Sequence, residues 1–190
     1  MSIVTAARHA SIVDVDAVAE IHTSCWREVY SFLPNSIHEN RSLDYRRSQW
    51  LAFLSARQRG AALIVLEQSG RTIGFAVSKP NADTAIDVPG EFHACYILPG
   101  CRGGDAGPVA MRALAEHLRA DGCWPACVWA FRENPYRRIY PALGCQPIVF
   151  RDRVIAGHAV PEIGYKVPDY STLINRLETM IASAALRRTG

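Results

Sequence analysis

A chain of 190 residues, 49% hydrophobic and 21% charged, carries enough apolar material for one domain of ordinary size with a real core. Its formal net charge of +3 is too small to argue for nucleic acid, yet leaves room for an anionic small ligand. No apolar run has the length needed to cross a bilayer, and the first residues lack the basic-then-apolar pattern of a secretory leader, so a cytoplasmic protein without a membrane partner is expected.

In chain order, residues 2–8 read as a short strand, and Asp14 and Asp16 open a helical run over 14–26 with Val15, Val18, Ile21 and Cys25 at spacings of three and four. Residues 43–56 form another helical stretch, in which Tyr45, Trp50 and Phe53 read as core contacts. Two β-rich runs within 61–79 flank Ser69-Gly70, a hairpin signal. A third runs from Glu91 to Leu98. Helical spacing returns at Val109–Ala120, with Gly122 as its stop, and residues 126–131 form a strand. Asn134 then resembles a cap, Pro135 a first-turn residue and Gly144 a terminator. Residues 145–152 and 161–167 read as closing strands, and the tail from residue 169 as an amphipathic helix. The six cysteines include no C-x-x-C pair and mostly sit among apolar residues, which points to reduced thiols and no metal site.

The stretch "CRGGDAGPVAM", residues 101–111, lies between a strand and a helix. Free amides at a helix start and the positive end of the helix dipole favour an anion at such a turn. Arg102 can add a charged fork. The spacing matches neither the P-loop nor the dinucleotide fingerprint, so ATP and NAD are not favoured.

The wider pattern is more specific. A strand with an acidic residue ends in "YILP"; an Arg-x-x-Gly-x-Gly-like turn opens a helix; a further strand leads to "NP"; and a short helix carries "Y-x-x-L-G". In this order the segments resemble the GNAT superfamily of acyl-CoA-dependent N-acetyltransferases, over about residues 3–167. The resemblance implies an α/β (α+β) fold with a mixed, mostly antiparallel sheet flanked by helices and splayed between the strands of 91–98 and 126–131. Residues 1–168 would be the catalytic domain, and residues 169–190 an extra helix packed on it or at a homodimer interface. Acetyl-CoA would lie in the splay as acetyl donor. Its pantetheine would pair near Ile97 and Leu98, its pyrophosphate would rest on Arg102, Gly103, Gly104, Asp105, Ala106 and Gly107, and Asn134 would touch its arm.

The same resemblance implies direct attack by a primary amine of a small molecule or peptide in a ternary complex. Glu91 would be the general base and Tyr140 the general acid on the leaving thiolate. Alternation along the strand puts Glu91, His93 and Cys95 on one face, so that His93 can relay a proton. Trp26, Tyr30 and Phe32 fall where the family forms its acceptor pocket. Two departures stand out. Asp105 replaces a glycine, and its charge is expected to oppose a phosphate. Pro141 follows Tyr140 and biases it away from helical geometry. A catalytically weak acyl-CoA-binding module is the alternative.

Overall fold

The computed structural model describes residues 4–56 and 58–189. Its seven strands form one sheet in the order β1-β2-β3-β4-β5-β7-β6. They are β1 (Ala6–His9), β2 (Ala62–Gln68), β3 (Arg71–Pro80), β4 (Gly90–Ile97), β5 (Ala126–Phe131), β6 (Gln146–Ile155) and β7 (His158–Lys166). All neighbours are antiparallel except β4 and β5. The helices are α1 (Val15–Val29), α2 (Asn35–Glu39), α3 (Leu43–Ala56), α4 (Ala106–Ala120), α5 (Ile139–Ala142) and α6 (Tyr170–Thr189). None of the described helices is long and apolar enough to cross a membrane.

Both faces of the sheet are covered, which is why β2 reads as an unbroken apolar run. Leu63 and Val65 pack with Val18 and Trp50 of α1 and α3, whereas Ala62, Ile64 and Leu66 pack with Leu114 and Leu118 of α4. Over α4 lies α6, which buries Leu173, Leu177 and Ala184. The apolar stripe of the tail is thus part of the main core.

Several boundaries differ from expectation. Residues 2 and 3 of the expected first strand lie outside the described residues, and the strand itself is Ala6–His9. α2 is an extra short helix. α4 starts at Ala106, so that Pro108 sits in its first turn, where a missing N–H costs nothing. The last hairpin is longer than its two apolar runs suggest, and turns at Ala156 and Gly157, both at positive φ. Tyr140 stays helical despite Pro141: its carbonyl accepts from the Leu143 and Cys145 amides at 3.1 and 2.9 Å.

A charged clamp fixes the start of α1. The Asp14 carboxylate accepts from the Ser11 amide at 2.8 Å and from both terminal nitrogens of Arg8, which also binds Glu67 on β2. The Arg8 hydrogen bond outweighs burial and lowers the Asp14 pKa from 3.8 to about 2. A depressed folded-state value gives stability that is present above pH 3.8 and lost as pH falls through about 2. Asp14→Asn should therefore lower the melting temperature most near neutrality, and the gap to the parent should close between pH 4 and pH 2, as read by circular dichroism. For the tail helix, Leu177→Ala should cost about 2–5 kcal/mol in urea unfolding, the usual range for emptying a fully buried leucine site; a change near zero would mean that α6 is not part of the cooperative core.

Candidate active site

β4 and β5 pair over only three residue pairs, Gly90–Ala126, Glu91–Cys127 and Phe92–Val128, and then diverge. At the same point β4 carries a bulge. Val77 of β3 pairs with Ala94 and Ser78 pairs with Phe92, which leaves His93 without a partner residue. An extra residue bends the strand and shifts the alternation beyond it. The expected shared face of Glu91, His93 and Cys95 is corrected accordingly. Glu91 and His93 line one cavity together with Ala94, while Cys95 lines another together with Ile97. The two cavities, about 400 and 670 Å³, share Tyr30 and Tyr96 in their walls.

The larger cavity lies between β4 and helices α4, α5 and α6. Ile97, Arg102, Gly103, Gly104, Gly107 and Asn134 line it, and so does Tyr140. Leu98, Asp105 and Ala106 do not. Leu98 packs toward α1, and its amide donates to Ile73 O at 2.9 Å. The first α4 bond runs from the Val109 amide to Asp105 O, so the amides of residues 103–107 precede it. Gly103 adopts φ +80°, a conformation glycine takes at no steric cost, and nothing stands within 4 Å of where its Cβ would be. The backbone there is open to close approach. Met180 and Ser183 of α6 complete the wall, and Arg138 and Arg187 bring positive charge.

Arg102 is held at the mouth. Its Nε donates to Ile97 O at 2.7 Å, its terminal nitrogens grip both oxygens of Glu28, and its guanidinium lies over the Tyr136 ring. Asn134 caps the turn after β5, accepting from the Tyr136 amide and donating to Tyr30 Oη. Desolvation, followed by the neighbouring Cys95, Tyr30, Cys145 and Tyr165, pushes the Tyr140 phenol well above its ordinary pKa, so it keeps its proton at neutral pH.

The Asp105 carboxylate does not face this cradle. It is 2% exposed and accepts from Thr5 Oγ1 at 2.6 Å, just ahead of β1, while Gln68 of β2 donates to the same hydroxyl. The Thr5 bond holds this carboxylate outside the cavity wall.

The smaller cavity lies under α1, α3 and the β6–β7 hairpin. Glu91 is 7% exposed and bonded to His93 Nδ1 at 2.6 Å, with Lys79 Nζ at 3.5 Å. Burial raises its pKa, but the His93 hydrogen bond and the Lys79 cation outweigh it, so the balance falls below the ordinary glutamate value. A carboxylate can only accept, so His93 Nδ1 carries the proton of this bond. A second buried carboxylate, Glu162 of β7, is gripped by Arg151 and Arg153 of β6 at 3.1 and 3.2 Å. His22, pressed among Trp26, Trp50 and Tyr96, is held well below its ordinary pKa by burial and then by Arg46.

The glycine turn, the carboxylate on β4 and the splay between them occur together in one known family. The Acetyltransferase (GNAT) family profile matches residues 15–144. The chain belongs to the GNAT acetyltransferases. Its relatives include the uncharacterized N-acetyltransferase YuaI of Bacillus subtilis (strain 168), 28% identical over 175 residues, which are 89% of this chain and 98% of YuaI. Among solved structures, YncA of Salmonella typhimurium, determined with acetyl-CoA, superposes with a TM-score of 0.66 at 17% identity, covering 86% of this chain and 92% of its own. PaiA N-acetyltransferase of Thermoplasma acidophilum, determined with coenzyme A, gives 0.60 at 16% identity, covering 87% and 99%. At these identities the structural likeness concerns the fold, a mixed and mostly antiparallel GNAT sheet flanked by helices.

Of the acceptor-side aromatics read from the sequence of this GNAT chain, Trp26 and Tyr30 line the smaller cavity and Phe32 does not. Sequence reasoning missed His22, Arg46, Tyr96, Trp129 and Glu162 in the same wall. His22 lies four residues before Trp26, one helical turn away, and that spacing was the available signal. Arg46 and Glu162 carried none, because each reaches the cavity through tertiary packing alone.

The Asp105 geometry yields a stability prediction. Asp105→Gly leaves the buried Thr5 hydroxyl without this acceptor, and should destabilise the fold by about 1–3 kcal/mol in urea unfolding. An unchanged midpoint would show that the Thr5 bond contributes nothing.

Proposed function

We propose that this GNAT protein transfers an acetyl group from acetyl-CoA to a primary amine of a small molecule, by direct attack within a ternary complex. The observation that carries this reading is the meeting of the two cavities at Tyr30 and Tyr96: one is lined by open glycine backbone and cationic side chains, the other by the Glu91–His93 pair. The larger cavity suits the cofactor in volume and chemistry. Residues 102–107 would hold the pyrophosphate through backbone amides and the dipole of α4, with Arg138 and Arg187 near the remaining phosphate. Asn134 and the β4 backbone near Ile97 would flank the pantetheine arm, once Arg102 releases Ile97 O. Acetyl-CoA, when bound, supplies a thioester whose carbonyl carbon is open to a nucleophile.

Glu91 acts as general base, taking the amine's proton directly, through His93 or through water. Its ionised state in the neutral range fits that role. The phenol of Tyr140, kept protonated by desolvation, gives its proton to the leaving sulfur.

Thiol release over a panel of primary amines, together with calorimetric titration of acetyl-CoA, tests the reading. Binding without turnover would mark an acyl-CoA-binding module, and no binding would remove both readings. Glu91→Gln and Tyr140→Phe should each lower kcat, the former on the order of 10²-fold, a usual loss for a general base, with little change in acetyl-CoA affinity. Asp105→Gly should bring no gain in that affinity at low ionic strength.

A further inference from the structure

The charges around the smaller cavity do not balance. Both of its buried carboxylates are matched: Glu91 by His93 and Lys79, Glu162 by Arg151 and Arg153. Its deepest cation is not. Arg46, on α3, is 4% exposed, and among the described residues its one side-chain hydrogen bond is from Nη1 to Gln49 Oε1 at 2.8 Å. Among the described residues its Nε and Nη2 have no hydrogen-bond partner, and neither does Trp26 Nε1 beside it. The guanidinium of Arg41 adds a second positive charge, and both arginines lie 5.2 Å from the centroid of the Trp26 ring. Burial lowers the Arg46 pKa to about 10, which leaves it charged at neutral pH.

A buried guanidinium without a carboxylate is costly, and an aromatic face offsets less of that cost than an anion does. Arginine and indole nitrogens only donate, so what meets them must bring lone pairs. The base pair Glu91–His93 stands on a different wall, on β4. One end of the cavity thus receives a proton and the other calls for an oxyanion.

We propose, building on the acetyltransferase reading above, that the acceptor is a small amino acid whose carboxylate is received by Arg46, with Arg41 beside it, and whose amine reaches Glu91 and His93. A cavity of about 400 Å³ suits a molecule of that size. The aromatic lining of Tyr45, Trp50 and Phe131 takes its apolar part. The ammonium loses two protons as its nitrogen bonds to the acetyl carbon and the carbon–sulfur bond breaks. One leaves through Glu91 and the other ends on the sulfur of CoA. The products are an N-acetyl amino acid and the free thiol.

The test compares the twenty common amino acids with their α-carboxamides and the corresponding decarboxylated amines, using the full chain and thiol release. At least one amino acid should exceed its amide and its decarboxylated amine in kcat/KM on the order of 10²-fold, because a site built for a polar group rejects analogues that lack it. Arg46→Gln should erase that preference by bringing kcat/KM for the amino acid down to the level of its amide in the same variant. Its melting temperature should hold or rise, since the variant removes a buried charge that lacks a counter-ion. Turnover of neutral amines at rates equal to or above those of the amino acids would overturn this inference and keep the acetyltransferase reading. If no amine is acetylated, that reading fails, and calorimetric titration of the amino acids and their amides into the wild-type protein still decides this one: preferential binding of the acid supports it, and equal or absent binding overturns it.

Discussion

The end of the β4–β5 pairing after Phe92 and Val128 is the constraint on which the site depends. Two parallel strands that part inside a sheet leave backbone groups and side chains facing a gap that neither can fill. The bulge at His93 falls at the same point and decides which side chains serve which side. Before it, Glu91 faces the smaller cavity; after it, Cys95 and Ile97 face the larger. A regular β4 would bring Cys95 to the same wall as Glu91 and turn Tyr96 away from it. One unpaired residue therefore separates the wall that carries Glu91 from the wall set against α4.

Much of the fold was legible because its signals are local. The Ser69-Gly70 turn sits between two apolar runs, and both residues take positive φ. The glycine turn before α4 and the spacing of Val15, Val18 and Ile21 on α1 depend on neighbours within a few residues. What was not legible depends on distant pairing. The carboxylate of Asp105 finds Thr5, a hundred residues away in the chain, and lies outside the wall of the larger cavity. The bulge at His93 has no signature in "EFHACYI", since it arises from the register with β3. Arg46 reads as one more basic residue in "DYRRSQW", and only the fold shows that it is buried while Arg47 beside it reaches Asp16 and Asp44 on the surface.

The tail helix has two attachments that reinforce each other. Leu173 and Leu177 join the core over α4, and Arg176 donates to Ala142 O at the end of α5. The same helix presents Met180 and Ser183 to the larger cavity. Its packing is thereby tied to the shape of the site, and a change in one is felt in the other. Gly164 plays a comparable part on β7, across the splay. A Cβ there would stand 2.5 Å from the Trp129 ring, so the absence of a side chain on β7 is what lets that ring lie against the strand beside the smaller cavity.

Tyr30 and Tyr96 belong to the walls of both cavities, and their phenols hydrogen-bond to each other, so the two chambers meet at a pair of side chains. On the acceptor and cofactor placement proposed above, a single elongated compound, with a pantetheine-like arm joined to an amino acid by a short tether, would have to part that pair to occupy both chambers. The second half would then engage at the effective concentration set by the tether rather than at that of the bulk solution, a gain that reaches 10²–10⁴-fold in favourable linkages, on the order of that seen for well-matched bivalent ligands. The bond between the two phenols is then the contact that a bisubstrate inhibitor has to replace.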